Sequence, residues 1–209
     1  MNISQKAIDQ IIKFEVTSEE LYNKRYLHPI WPGGDSGVTV GIGYDLGFNS
    51  SETIIRDWTG EVNLNFVSLM ADLAGVTGER AKVKCSGLVK NITVPYSAAI
   101  NVFKEKTLPR YYKMALNTYP GLEELNADTQ GAIVSLVYNR GTSFGKEGKP
   151  SWESRREMRE LKSQIANQEY PEISETIRKM KRLWIDNDKL GGLVGRRELE
   201  ATLVDDSIA

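Results

Sequence analysis

Apolar residues recur every three or four positions along most of the chain, which is the spacing that predicts amphipathic helices. The first such segment predicts a helix from a Ser4 N-cap to about Glu15. Further helical patterns follow at about 51–58, 63–74, 79–88, 95–109, 126–137, 152–167, 171–183 and 194–204. Pro29 and Pro32 forbid a long regular element before residue 33, and Pro109 is predicted to kink or end its helix.

One stretch, from Gly33 to Gly47, departs from the helical pattern. Six of its fifteen residues are glycine, and among them stand the strand-forming residues Val38, Thr39, Val40, Ile42 and Tyr44. Such a stretch predicts a short β-hairpin whose backbone a large molecule can approach closely. The predicted fold class is therefore α+β, mostly helical with one small glycine-rich hairpin near the N-terminus.

The composition is that of an ordinary globular protein, with 40% hydrophobic and 26% charged residues over 209 positions. A formal net charge of −1 gives no global field that would draw the chain to nucleic acid. The single cysteine, Cys85, and the single histidine, His28 in a loop-like segment, predict no disulfide and no zinc cluster, so we expect no metal and no cofactor. No apolar run approaches the ~18 residues of a membrane span, so stable membrane insertion is not expected.

Four segments resemble phage-type lysozymes, the endolysins that cut the glycan strands of bacterial cell walls. They are IIKFE, ending at Glu15; DSGVTVGIGY, from Asp35; SLVYNRGTS, from Ser135; and GGLVGRRELEATL, from Gly191. In that family a glutamate ends the first helix, and a hairpin then carries an acid, a threonine and a Gly-x-Gly turn. The four segments stand in family order from end to end of the chain.

The resemblance implies a single lysozyme-like domain with two lobes around a cleft, a small lobe of about residues 1–60 and a helical lobe of about 61–209, without a separate wall-binding domain. It implies a muramidase, which hydrolyses the bond between N-acetylmuramic acid and N-acetylglucosamine with inversion. We expect a monomer whose partner is the peptidoglycan glycan strand. The N-terminal segment lacks the apolar core of a signal peptide, so we expect the protein in the host bacterial cytoplasm until a holin releases it to the periplasm or cell wall.

Three residues are the catalytic candidates that the resemblance implies. Glu15 matches the general acid, and the apolar residues before it favour a carboxyl group that keeps its proton. Thr39 matches the threonine that positions the attacking water, although strand propensity alone also accounts for it. Asp35 is the candidate general base, but it stands only four residues before Thr39, closer than the family spacing, and an aspartate after Gly-Gly is also typical of a turn.

Four further residues are candidates for contact with the substrate. Tyr44 and Asp45 stand where the chain leaves the hairpin, and Asp45 could instead order Tyr44 and the turn. Asn139 and Arg140 end the helix of the third segment, where family members line the cleft. Asn139 is a candidate for binding an N-acetyl group, with a helix C-cap as the alternative, and Arg140 is a candidate for the mouth of the cleft.

Two other functions stay open at this point. If Asp35 is not a base, the chain could be a lytic transglycosylase, in which a single acid produces an anhydro sugar. It could also be a non-catalytic peptidoglycan-binding module that keeps a lysozyme-like fold and holds glycan without cutting it. The glutamate at Glu15 argues against this last alternative.

Overall fold

Short helices form most of the chain, and a two-stranded antiparallel sheet accompanies them. The computed structural model describes residues 1–207, without the side chains of Leu88 and Asp188. Of the residues, 66% are helical, which confirms the predicted α+β class at this coarse level. Contacts group the chain into two compact units, a hairpin unit (Ile12–Pro109) and a helical unit (Met1–Ile11 with the chain from Arg110 onward). These bounds differ from those of the predicted lobes, whose arrangement around a cleft stays a prediction.

Most helices begin and end close to the positions that the apolar spacing predicts; the exceptions are Glu19–Arg25, which it does not predict, and Leu108–Thr118, which continues beyond Pro109. Within residues 1–207 the α-helices are α1 (Gln5–Val16), α2 (Glu19–Arg25), α3 (Ser51–Trp58), α4 (Leu64–Ala71), α5 (Gly78–Cys85), α6 (Tyr96–Val102), α7 (Leu108–Thr118), α8 (Ala127–Arg140), α9 (Pro150–Ser154), α10 (Arg156–Ala166), α11 (Ile173–Lys179) and α12 (Gly191–Asp205). None of these described helices combines the length and the apolar character that a bilayer crossing requires. The two strands are β1 (Thr39–Val40) and β2 (Tyr44–Asp45).

In the hairpin, buried side chains alternate with more exposed ones. Strand β1 pairs antiparallel with β2, so that Thr39 stands opposite Asp45. Val38 and Val40, on either side of Thr39, are at most 2% exposed. Because successive side chains of a strand point to opposite faces, the Thr39 side chain faces away from the core that its neighbours enter.

Helix α1 begins and ends where the sequence predicts. The Ser4 hydroxyl accepts a hydrogen bond from the Ala7 N–H at 3.0 Å, which confirms the N-cap. The helix ends at Val16, and Thr17 follows with a φ of 63°. Glu15 therefore lies in the last turn of α1.

Helix α2 lies in the segment where Pro29 and Pro32 predict no long regular element. Ser18 caps this helix by accepting a hydrogen bond from the Leu21 N–H at 3.2 Å. Acidic residues occupy the first turn and basic residues the last, which suits the helix dipole. Both prolines come after the helix, so they limit it to seven residues without preventing it.

Pro109 alters its helix without ending it. A π-helical turn, Phe103–Thr107, precedes the proline, and the Leu108 N–H donates to the carbonyl oxygen of Phe103, five residues back. Helix α7 then continues through Pro109. Proline has no N–H to donate and its ring crowds the preceding turn, and the wider π turn is how this chain accommodates both effects.

Helix α8 is the centre of the helical unit, with every residue from Thr129 to Val137 buried. Helix α12 packs against α8 and α11. It buries Arg197 and Glu200, whose Nη2 and Oε1 atoms are 2.9 Å apart. A buried charge of either sign is costly unless it is paired, and within α12 these two charges are partners of each other.

Candidate active site

A small cavity in the hairpin unit brings together two of the predicted catalytic residues. It has a volume of about 170 Å³, and its lining includes Glu15, Tyr26, His28, Thr39, Gly41 and Gly43. Glu15 comes from the last turn of α1 and Thr39 from β1, and they are the acid and the threonine that the resemblance selects. One water molecule needs about 15 Å³ of such space, so the cavity can hold several.

Glu15 occupies an end of α1 that helix energetics does not favour for an acid. The partial negative charge of the helix dipole lies at the C-terminal end and opposes a carboxylate there. The side chain is half-buried and lines the cavity. When protonated, a carboxyl group in this position can donate its proton to an oxygen atom of a bound molecule.

Thr39 is held on the cavity wall by its backbone. Its N–H donates to the Ile30 carbonyl oxygen at 2.8 Å, and its own carbonyl oxygen accepts from the Ile30 N–H at 2.9 Å. With both flanking valines buried, the pleat of the strand directs the Thr39 side chain to the cavity side. A hydroxyl group on a fixed strand can both donate to and accept from a water molecule.

Gly41 and Gly43 form part of the cavity wall with backbone alone. Their φ angles of 59° and 64° are in the left-handed region, where a side chain would be strained. A Cβ atom on Gly41 would also lie 3.0 Å from the ring of Trp58. The Gly-x-Gly turn therefore makes the tight return from β1 to β2 possible, and at Gly41 it leaves room for the Trp58 ring.

His28 also lines the cavity, although no pattern in the sequence points to it. Its Nδ1 atom lies 2.9 Å from the carbonyl oxygen of Ile92. A carbonyl oxygen only accepts hydrogen bonds, so Nδ1 is the donor, and Nε2 of the neutral ring carries the lone pair. The only advance signal is that His28 is the single histidine of the chain.

Asp35, the predicted general base, does not line this cavity. It is exposed in a turn that the Ser36 N–H closes by donating to the Gly33 carbonyl oxygen at 3.2 Å. Gly33 and Gly34 enter that turn with φ angles of 109° and 58°. The alternative interpretation of Asp35 as a turn residue fits this placement, and the interpretation as the partner of Glu15 does not.

Asp45, predicted to contact substrate, uses its carboxylate to hold the hairpin. Oδ2 accepts from the Gly37 N–H at 2.9 Å and Oδ1 from the Gly47 N–H at 2.8 Å. Burial raises the pKa of Asp45, and these backbone hydrogen bonds oppose that rise. This arrangement corresponds to the second interpretation, in which Asp45 orders the turn.

Tyr44, the other predicted contact of the hairpin, lies in the core. Its side chain is 3% exposed, and its hydroxyl group donates to Oδ2 of Asp57 at 2.9 Å. Its ring packs edge-on against Trp58, with 5.4 Å between the ring centroids. Tyr44 therefore packs in the core, and its contact with a substrate stays a prediction.

Asn139 and Arg140 lie at the end of α8, in the helical unit. The Asn139 side chain is exposed, and its Oδ1 accepts from Nη2 of Arg197 at 3.3 Å, while Gly141 provides the C-cap. The Arg140 guanidinium donates to the Ser154 carbonyl oxygen. Burial, followed by the charges of nearby arginines, lowers the pKa of Arg140 to about 10. These contacts give Arg140 a packing role in its own unit, whereas contact of either residue with substrate stays a prediction.

Comparisons with known proteins add no relative. The chain matches no protein-family model and no curated protein sequence. Within residues 1–207, no group of three or more histidine, cysteine, aspartate or glutamate side chains is arranged to hold a metal ion.

Proposed function

We propose that the protein is a peptidoglycan hydrolase, a muramidase that cleaves the bond between N-acetylmuramic acid and N-acetylglucosamine. The observation that carries the proposal is that Glu15 and Thr39 line one cavity together with the backbone of Gly41 and Gly43. These are the acid, the threonine and the Gly-x-Gly turn of the phage-type lysozyme pattern. The downstream segments SLVYNRGTS and GGLVGRRELEATL, in family order, add support.

The chemistry follows from what glycoside hydrolysis requires. The leaving oxygen needs a proton, which Glu15 supplies, and a water molecule must attack the anomeric carbon from the opposite face. Thr39 positions that water through its hydroxyl group, and the glycine backbone leaves room for a sugar ring to approach. We further propose that the protein is an endolysin, made in a bacterial host and released to act on its cell wall.

A lytic transglycosylase is the second candidate, and one observation favours it. Asp35 is exposed and does not line the cavity of Glu15, so the second carboxylate of an inverting pair is missing from that cavity's described lining. In a transglycosylase the muramic acid 6-hydroxyl group attacks in place of water. The reaction then leaves a 1,6-anhydro end and needs no water-activating carboxylate.

Digestion of purified peptidoglycan tests both candidates. The unmodified protein and Glu15→Gln are incubated with the substrate, and the soluble products are separated and weighed by mass spectrometry. Muropeptides with reducing muramic acid ends support the muramidase, and anhydro ends support the transglycosylase. If the unmodified protein releases no fragments but still sediments with peptidoglycan, the protein binds glycan without cutting it and both proposals are wrong.

A further inference from the structure

We propose that His28 is the general base of this site, the group that takes a proton from the attacking water. The inference rests on the proposed muramidase function and adds a residue to it. Its basis is that His28 lines the same cavity as Glu15 and Thr39, whereas Asp35 does not. A histidine is the side chain most often used for proton transfer in enzymes.

The hydrogen bond to Ile92 gives the imidazole a fixed tautomer. Nδ1 donates to the Ile92 carbonyl oxygen at 2.9 Å, which leaves Nε2 as the basic nitrogen. Ile92 is itself fully buried, and its N–H donates to the Val89 carbonyl oxygen at 3.0 Å. The ring of His28 is therefore oriented by a rigid part of the hairpin unit, as catalytic histidines are by their second hydrogen bond.

The backbone on both sides of His28 is anchored as well. The Val94 N–H donates to the Leu27 carbonyl oxygen at 2.9 Å. On the other side, the Pro29 carbonyl oxygen accepts from the Cys85 thiol at 3.5 Å. These contacts fix the backbone next to His28, whose side chain is exposed and lines the cavity.

The other candidate bases of the hairpin are occupied or remote. Both carboxylate oxygens of Asp45 accept backbone hydrogen bonds, from Gly37 and Gly47. Asp35 is exposed, as His28 is, but it does not line the cavity. Tyr26 lines the cavity but brings a hydroxyl group and no basic nitrogen. Of these residues, His28 alone combines a basic atom with a place in the cavity.

The reaction balances with these groups. The water oxygen bonds to the anomeric carbon while one water proton moves to Nε2 of His28. The bond from the anomeric carbon to the leaving oxygen breaks, and that oxygen keeps the electron pair and takes the proton of Glu15. Proton exchange with solvent then returns His28 to its neutral form and Glu15 to its acid form.

His28→Gln is the direct test, because the glutamine amide nitrogen takes the position of Nε2 but is not basic. Activity is measured as reducing ends released from soluble, uncrosslinked glycan strands. We expect kcat to fall ~100-fold or more with KM little changed, since general-base catalysis contributes ~10²–10⁴-fold. Lys24→Gln, an exposed change on α2, is the matched control and should keep full activity.

Chemical rescue separates a lost base from a disturbed fold. In His28→Ala, added imidazole should restore activity in proportion to its concentration, whereas it should not raise the activity of the unmodified protein. Thermal melts followed by circular dichroism establish which variants are folded, and if His28→Gln does not fold, rescue of His28→Ala decides the question.

Two results would overturn the assignment. One is a folded His28→Gln variant that keeps more than about a tenth of the activity, because the loss of a general base should lower the activity further than that. The other is a folded His28→Ala variant that imidazole does not restore. An unmodified protein that releases no reducing ends would instead refute the proposed muramidase function, so the two failures are distinguishable.

Discussion

The carboxylate of Asp45 reaches across the hairpin to the backbone of Gly37, with 2.9 Å between Oδ2 and the Gly37 nitrogen. The contact is so close that a Cβ atom on Gly37 would lie 2.1 Å from Oδ1 of Asp45. The acid that follows the Gly-x-Gly turn therefore fixes the strand that carries Thr39. The two residues make the hairpin a rigid support for the cavity.

Asp45→Asn should destabilise the hairpin unit. The amide nitrogen of asparagine would face one of the two backbone N–H groups, and one hydrogen bond would be replaced by an opposed pair of donors. We expect a loss of about 1–3 kcal/mol in the free energy of unfolding, measured by urea titration. Asp72→Asn, an exposed change at the end of α4, is the control and should shift stability by less than about 0.5 kcal/mol. Equal stability of the two variants would contradict the role given to Asp45.

Glu15→Gln should abolish activity without loss of stability. The amide has no proton to give to the leaving oxygen, and general acids contribute ~10²–10⁴-fold to such rates. Clearing of a suspension of permeabilised bacteria measures the loss, and Glu20→Gln in the exposed first turn of α2 is the matched control. A rate above about a tenth of the unmodified one would show that Glu15 is not the acid, given the size of that contribution.

Asp35→Asn should leave most of the activity in place. Its side chain is exposed in a turn and does not line the cavity, so a loss of less than about tenfold is expected, below the range for a general base. Initial rates on the same glycan strands measure it, alongside His28→Gln. A loss as large as that of Glu15→Gln would restore Asp35 as the second carboxylate and would require the turn at Gly33 to move on binding.

Thr39→Val should lower activity while keeping the hairpin. Valine matches threonine in shape and in strand preference, and both backbone hydrogen bonds to Ile30 are retained. The hydroxyl group that positions the water is lost, so we expect kcat to fall about tenfold or more, the cost of about 1.4 kcal/mol in the transition state. Thr39→Ser, which keeps the hydroxyl group, should recover much of that loss. If valine and serine behave alike, the hydroxyl group has no part in the reaction.

Glu157 should make the helical unit sensitive to acid. Its two carboxylate oxygens accept from Nε and Nη2 of Arg182 at 2.6 and 3.0 Å. Burial of Glu157 opposes ionisation, but the hydrogen bond and charge of Arg182 prevail, and the pKa of Glu157 falls below its ordinary value of 4.5. As the pH falls, Glu157 is therefore protonated in the unfolded chain at a higher pH than in the folded protein. The stabilisation is fully present above pH 4.5 and is lost as the pH falls through the lower folded value.

Melting experiments over a pH series check this expectation. Glu157→Gln should lower the free energy of unfolding by about 1–3 kcal/mol at pH 7, because Arg182 then loses the charged hydrogen bonds to this buried carboxylate and keeps only Glu153 among its described acidic partners. The difference from the unmodified protein should shrink below pH 4.5, where Glu157 of the unfolded chain binds its proton, and disappear below the lower pKa of the folded state. Glu79→Gln, in an exposed pair with Lys82, is the control and should show neither effect. A difference that stays constant with pH would contradict the ion pair as its cause.

Local sequence patterns were sufficient to predict most of the secondary structure. Apolar spacing predicted the N-terminal and later helices, and the alternation around Thr39 predicted the hairpin. Helix α2 was missed because Pro29 and Pro32 predicted no long regular element in this segment. The sequence does contain a signal for the helix, the N-cap residue Ser18. The π turn before Pro109 depends on how one helix turn accommodates a proline ring, which a sequence pattern cannot specify.

The residues of the candidate site also fall into two groups, those that local patterns predicted and those that they did not. Glu15 and Thr39 belong to motifs whose local geometry the sequence encodes, and they line one cavity. Asp35 was selected as a near match to the acid of the family pattern, but the turn after Gly33 leaves it exposed. His28 was passed over, because the group that orients it, the Ile92 carbonyl oxygen, is 64 residues away.

The sequence by itself determined the local elements, the face of β1 that Thr39 occupies and the end of α1 that Glu15 occupies. These follow from periodicity, capping and glycine conformation, which act over a few neighbouring residues. Only the tertiary structure decided which side chains share a cavity, that Asp45 holds the hairpin while Tyr44 packs in the core, and that His28 lines the same cavity as Glu15. Those outcomes depend on burial and on hydrogen bonds between residues far apart in the chain, which no local pattern records.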